Sequence, residues 1–201
     1  MKFISPSWNT VFYKSIDLSE KIRAGNRKGY DSIVGVSRGG LVLTRLLSDL
    51  LDIEDVMITK CEYYSDLGER RKHPVITQKI QGDIKGKKVL LADDVSDTGE
   101  SLKEIKKYLL GLRPTLLSVA TLYLKPWSAF TPDYYASKTD AWIIFPWEPY
   151  EALRSLSSKN GPEILKEAKI SEKLVKRLNK MDRSLLPKSW QSAIGQAQHN
   201  S

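Results

Sequence analysis

Between Val89 and Leu102 the chain reads Val-Leu-Leu-Ala-Asp-Asp-Val-Ser-Asp-Thr-Gly-Glu-Ser-Leu. Three carboxylates, Asp93, Asp94 and Asp97, stand just before Thr98, Gly99, Glu100 and Ser101. A glycine turn that opens a helix offers unsatisfied backbone N–H groups and the positive end of the helix dipole, which suits phosphate. Acids this close would repel a bare phosphate. They make sense if they face hydroxyl groups or a magnesium ion. A sugar phosphate with free hydroxyls and a metal-bound diphosphate meets both demands. The alternative is an ordinary strand–turn–helix corner with Asp and Ser as caps. Three acids, Thr-Gly and a further hydroxyl at Ser101 exceed what capping needs.

A similar corner lies earlier. Ile33 to Val36 is a short β-rich run, Ser37-Arg38-Gly39-Gly40 follows, and Leu41 to Leu51 is a strongly apolar helical segment. Two adjacent glycines let backbone N–H groups approach an anion with no Cβ in the way. Arg38 adds a charge suited to a diphosphate oxygen. Taken alone, a simple tight turn explains these four residues equally well. Their place before the acidic corner, in strand–turn–helix order, is what gives them weight.

Ala92 to Ser101 resembles the phosphoribosyl-pyrophosphate (PRPP) signature of type I phosphoribosyltransferases. The resemblance implies that Asp93 and Asp94 hold the ribose hydroxyls and that Asp97 lies near N7 of a purine as the catalytic acid–base group. It implies that Asp97, Thr98, Gly99, Glu100 and Ser101 form the 5′-phosphate loop. It makes Ser37, Arg38 and Gly39 the diphosphate loop, with a non-proline cis peptide there. Glu62 to His73 is polar and separates two strand-like runs, Val56–Cys61 and Pro74–Ile80. A solvated hairpin loop accounts for it; the resemblance makes it a lid, with Tyr64, Arg70 and Arg71 closing over PRPP to exclude water.

The resemblance extends to the purine end of bacterial xanthine–guanine phosphoribosyltransferases. There Lys125 would contact a 6-oxo group, Trp142 would stack on the base, and Ile143 would offer backbone groups to its edge. Without the resemblance, Lys125 reads as a snorkelling lysine at a sheet rim and Trp142 as a core aromatic. Glu148 stands where the family has Asp; with Asp94 it is the metal candidate, acting mainly through PRPP and water. The implied cofactor is Mg²⁺. The implied partners are PRPP, a purine base, the nucleoside monophosphate and diphosphate, with a homodimer or higher homo-oligomer as assembly.

The elements that must position these residues point to an α/β fold with a central, mostly parallel sheet flanked by helices. Thr10–Ala24 reads as an amphipathic helix, Val89–Leu91 as a buried strand, Leu102–Leu110 as a helix and Leu116–Lys125 as a further strand. Pro126 to Thr139 reads as an irregular aromatic segment. Residues 1–150 form the expected phosphoribosyltransferase domain, with a small purine-binding hood from parts of 1–10 and 126–148. Residues 151–201 form a helical extension, with helices over 161–169 and 171–181 and Ser171 as N-cap. Leu174, Val175, Leu178 and Met181 give the second helix an apolar face to bury.

With 201 residues, 41% hydrophobic and 28% charged, the chain can bury one sizeable core. No apolar stretch approaches the ~20 residues of a membrane helix. No signal-peptide pattern is visible, and the reading places the protein in the cytoplasm. The one cysteine, Cys61, reads as a packed thiol. A net charge of +8 suits anionic ligands but does not choose among them. The expected function is purine salvage: a 6-oxopurine plus PRPP giving the nucleoside 5′-monophosphate plus diphosphate. An alternative is a PRPP-sensing, nucleic-acid-binding regulator of the same fold; the absence of an aromatic–basic RNA module or clear helix-turn-helix argues against nucleic acid. An orotate or pyrimidine enzyme shares the PRPP motif but not the spacing of Lys125, Trp142 and Trp147.

Overall fold

A computed structural model describes residues 2–64, 73–157, 164–182, 184–187 and 190. By density of internal contacts the chain divides into two units, Val11–Thr139 and Met1–Thr10 with Asp140–Ser201.

The larger unit holds a six-stranded sheet. Its strands are β2 (Ser32–Ser37), β3 (Asp55–Tyr64), β4 (His73–Gln78), β5 (Lys88–Ser96), β6 (Leu116–Leu124) and β7 (Tyr134–Lys138). Their order is β4-β3-β2-β5-β6-β7, all neighbours parallel except β3 and β4. From β2 the chain moves outward to β3 on one side; from β5 it moves to β6 on the other. The winding therefore reverses between β2 and β5, and the crevice for a ligand in such a sheet lies at the carboxyl ends of that pair. Ser37 and the acids of β5 sit at those ends.

The central strands are apolar because both faces are covered. Helix α2 (Gly40–Leu50) packs on β2 and β5 and buries Leu43 and Leu47. On the other face, α3 (Glu100–Gly111) buries Leu102, Ile105 and Leu109 at helical spacing. They join Val34 and Val36 of β2, Val89 and Leu91 of β5, Met57 and Val119 in one core. Strand alternation explains the sorting: Val34 pairs with Leu91 across the sheet, and residues two apart share a face. Cys61 is half-buried against this core, and burial raises its thiol pKa, as expected of a packed thiol.

Two differences from the sequence reading have simple causes. Helix α1 (Trp8–Gly25) begins two residues earlier than the apolar pattern suggested, because exposed Trp8 carries no burial signal. The segment 126–139 contains β7, which has only a half-buried pattern as an edge strand. Lys21 Nζ donates to the Tyr135 carbonyl at 3.1 Å, and Lys14 Nζ donates to Ser137 Oγ, so α1 supports that edge.

The smaller unit pairs β1 (Phe3–Ile4) in parallel with β8 (Trp142–Ile143). It continues into α4 (Pro149–Ser157), α5 (Ile164–Glu167) and α6 (Glu172–Met181). Ser171 caps α6, accepting from the Leu174 N–H at 3.3 Å. Leu153, Leu165, Val175, Leu185, Leu186 and Trp190 cluster, with Leu178 against them; Met181 stays exposed. Helix α4 escapes a sequence reading because Pro149 and a mixed polar pattern open it. Among the described residues no helix is long and apolar enough to cross a membrane.

Ile105 is fully buried where α3 meets the sheet. Ile105→Ala is expected to cost about 2–5 kcal/mol, read by urea unfolding followed by far-UV circular dichroism.

Candidate active site

Strand β5 runs on through the acids to Ser96, so Asp93 and Asp94 are strand residues whose side chains take opposite faces. Asp94 is 8% exposed. Its backbone N–H donates to Asp93 Oδ1 at 2.9 Å. Desolvation pushes the Asp93 pKa well above the ordinary carboxylate range; the Asp94 charge adds to this, and the Asp94 N–H opposes it. Solvent still reaches part of Asp93, so a ligand can as well.

The turn after β2 lies directly against this pair. The Ser37–Arg38 peptide is cis, as the sequence resemblance implied. A Cβ on Gly39 would stand 2.2 Å from Asp94 Oδ2 and 2.8 Å from Oδ1. A Cβ on Gly40 would stand 2.6 Å from the Ala92 carbonyl oxygen and 3.0 Å from Asp93 Oδ1. These glycines thus serve close approach: the backbone of one loop rests on the carboxylates of the next strand. Arg38 is exposed at the turn, and the Leu41 N–H returns to its carbonyl at 3.2 Å.

Gly99 precedes α3 with φ of 81°, a left-handed conformation that other residues adopt with strain. Its missing side chain also makes room, since a Cβ would meet the Phe130 N at 2.6 Å and Ser128 Oγ at 2.7 Å. The loop is stitched to the segment after β6. Lys125 N–H donates to the Ser96 carbonyl at 3.0 Å, and Ala129 N–H donates to the Thr98 carbonyl at 2.9 Å. Ser96 Oγ donates to the Phe130 carbonyl at 2.9 Å.

The cradle hydroxyls are engaged by a residue the sequence did not single out. Ser101 Oγ donates to Tyr63 Oη at 3.2 Å, and Tyr63 Oη lies 3.3 Å from Thr98 Oγ1. The lid expectation rested on Tyr64, which is 51% exposed at the end of β3. Counting alternation from buried Met57 and Thr59 through Cys61 would have picked Tyr63, since these share a face. Arg70 and Arg71 lie outside the described residues. Tyr63, Asp93, Asp97, Thr98, Gly99 and Ser101 help line a cavity of about 280 Å³, the size of a small polar ligand.

Asp97 is exposed, and its Oδ1 accepts from Trp127 Nε1 at 3.0 Å. Lys125 is 6% exposed, and its ammonium lies 5.3 Å from the centroid of the Trp127 ring. It is therefore not a snorkelling rim lysine. Trp142 and Ile143 belong to the smaller unit; Trp142 is 43% exposed and Ile143 is buried. Trp142 is thus not a core aromatic. Glu148 Oε1 accepts from the Phe145 N–H at 3.3 Å within its own turn.

No group of three or more His, Cys, Asp or Glu that could hold a metal occurs among the described residues. A donor set of one or two carboxylates fits a hard cation such as Mg²⁺ that keeps waters and takes phosphate oxygens from its ligand.

The phosphoribosyl transferase domain pattern matches residues 7–152. The chain belongs to the phosphoribosyltransferase family. It is a type I phosphoribosyltransferase resembling those for 6-oxopurines. A xanthine–guanine phosphoribosyltransferase from Idiomarina loihiensis is 31% identical over 144 residues, 71% of this chain and 84% of the relative. One from Cereibacter sphaeroides is 28% identical over 148 residues, again covering 71% and 84%. The crystal structure of a purine phosphoribosyltransferase from Pyrococcus horikoshii superposes with a TM-score of 0.65 at 37% identity, covering 73% of this chain and 95% of that one.

Two outcomes follow for this phosphoribosyltransferase. Gly39→Ala is expected to cost about 1–3 kcal/mol. Adding Asp94→Ala, which removes the clashing carboxylate, should recover part of that loss in a double-mutant cycle. Asp93 has a raised folded pKa, so the folded state binds its proton more tightly than the unfolded state. Its stability contribution is full below the ordinary carboxylate range and is lost as pH rises through the raised value. Asp93→Asn should therefore raise Tm at pH ~7 by about 2–4 °C, the gain vanishing near pH ~3, in thermal melts across that range.

Proposed function

We propose that this phosphoribosyltransferase acts in purine salvage, joining a 6-oxopurine to PRPP to give the nucleoside 5′-monophosphate and diphosphate. The observation that carries the reading is one cavity lined by Asp93 and Asp97 together with Thr98, Gly99 and Ser101, at the end of the strand whose Asp93–Asp94 pair the Gly39–Gly40 turn rests on. A sugar needs both: carboxylates for its vicinal hydroxyls and N–H groups for its phosphate.

Asp93 and Asp94 accept hydrogen bonds from the ribose hydroxyls and fix the ring, a proximity effect. Ligand hydroxyls also replace water at the Asp93 carboxylate, where desolvation is costly. Thr98, Gly99, Glu100 and Ser101 hold the 5′-phosphate through backbone N–H groups and hydroxyls, with Tyr63 giving up its place at Thr98 and Ser101. Ser37, Arg38 and Gly39 receive the diphosphate. Asp94 would help hold a bound Mg²⁺, which would supply charge neutralisation for the leaving diphosphate. As purine N9 bonds to ribose C1′ and the C1′–diphosphate bond breaks, Asp97 accepts the proton from N7.

Lys125 presents an ammonium donor to a 6-oxo group. A 6-amino group would leave that buried cation facing another donor, so adenine is disfavoured. In the smaller unit, Trp142 is 43% exposed, and an indole is the kind of side chain on which a purine stacks.

Incubation with PRPP, Mg²⁺ and each of hypoxanthine, guanine, xanthine, adenine, orotate and uracil tests the reading through diphosphate release. Release with 6-oxopurines is expected. Turnover of adenine, orotate or uracil with none of 6-oxopurines would sink it. Asp97→Asn should lower kcat by about 100-fold or more while PRPP affinity changes little.

A further inference from the structure

We propose that Trp127 is a positioning residue for this reaction: its indole N–H fixes the Asp97 carboxylate while its ring seats the Lys125 ammonium. The inference rests on the purine-salvage reading and assigns a role to a residue outside the PRPP motif.

Trp127 is 56% exposed, so core packing does not explain a large aromatic here. Its backbone is held firmly. The Ser128 N–H donates to the Lys125 carbonyl at 3.1 Å, closing a β-turn of Lys125-Pro126-Trp127-Ser128. Proline occupies the turn position whose φ it pre-sets. The next N–H, that of Ala129, is bonded to the Thr98 carbonyl. The indole is thus presented by a short turn anchored at both ends to the loop that carries Asp97.

From there Nε1 donates to Asp97 Oδ1 at 3.0 Å. A lone exposed aspartate rotates about its terminal torsion with little preference. One oxygen held by the indole leaves the other, Oδ2, to take a proton from the base in a set orientation. The same ring stands 5.3 Å from the Lys125 ammonium, within cation–π range. A single side chain therefore links the group that accepts the N7 proton with the group that reads position 6. Indole is suited to both duties, since it combines a donor N–H with the strongest cation-attracting face.

Two variants separate the duties. Trp127→Phe keeps a ring for Lys125 and removes the N–H. It should lower kcat by about 10–100-fold, with KM for PRPP within about twofold and the ratio of guanine to adenine turnover unchanged. Trp127→Leu removes both and should also narrow that ratio. In Asp97→Asn, adding Trp127→Phe should cost nothing further, because the two act as one unit. An unchanged kcat in Trp127→Phe, or losses that multiply with those of Asp97→Asn, would overturn the proposal while leaving the salvage reading intact. A wild-type protein that releases no diphosphate with any base overturns the salvage reading and the catalytic role together. The contact has its own readout, free of activity. The indole N–H resonance assigned by its loss in Trp127→Phe should move upfield in Asp97→Asn, and a resonance that stays in place rules out the contact.

Discussion

The close approach of the Gly39–Gly40 backbone to the Asp93–Asp94 pair is the constraint on which the rest of the site depends. Two strands of a parallel sheet stand about 5 Å apart, and the turn leaving one must clear the side chains ending the other. Here it clears nothing. It lies on the carboxylates, and only the absence of a side chain permits the contact. That contact brings a glycine turn and a pair of acids to one point. Ligand groups of opposite demand, hydroxyl donors and anionic oxygens, can then be only a bond or two apart.

The topology makes this meeting inevitable. With β2 and β5 adjacent and the chain winding away from them in opposite directions, their carboxyl ends border the crevice that such a reversal leaves. Two strand–turn–helix corners face each other across the gap, each with a helix beginning at its rim. The apolar core below, built from alternate residues of β2 and β5 with α3, holds the strand ends in register. The site in turn burdens the core, since a buried acid beside a second acid costs stability that the packing must offset.

Much of this was legible in the sequence. Apolar runs such as Val89–Leu91 carry the strands, and the unusual density of acids, glycine and hydroxyls carries the phosphate corner. The edge strand β7 was not legible, because a half-buried strand in an aromatic stretch has no clear period. Nor was helix α4. Tyr63 was passed over for Tyr64 because two adjacent tyrosines look alike until the pleat assigns each a face. Trp127 was visible only as one more aromatic; its partnership with Asp97 spans a separation of 30 residues and depends on a tertiary contact that no local pattern encodes.

The stitching of 125–130 onto 96–99 has a consequence for how such a pocket can change. Main-chain bonds from Lys125 to Ser96 and from Ala129 to Thr98 tie the two ends of a five-residue segment to the span of the other. Side chains there can be exchanged freely in principle, but the number of residues cannot. An insertion or deletion between Lys125 and Ala129 would break a rung of this clip and move the turn that opens α3. Change in this segment is therefore a matter of substitution at fixed length, and grafting a loop of another size would first displace the Thr98–Gly99 turn to which it is bonded.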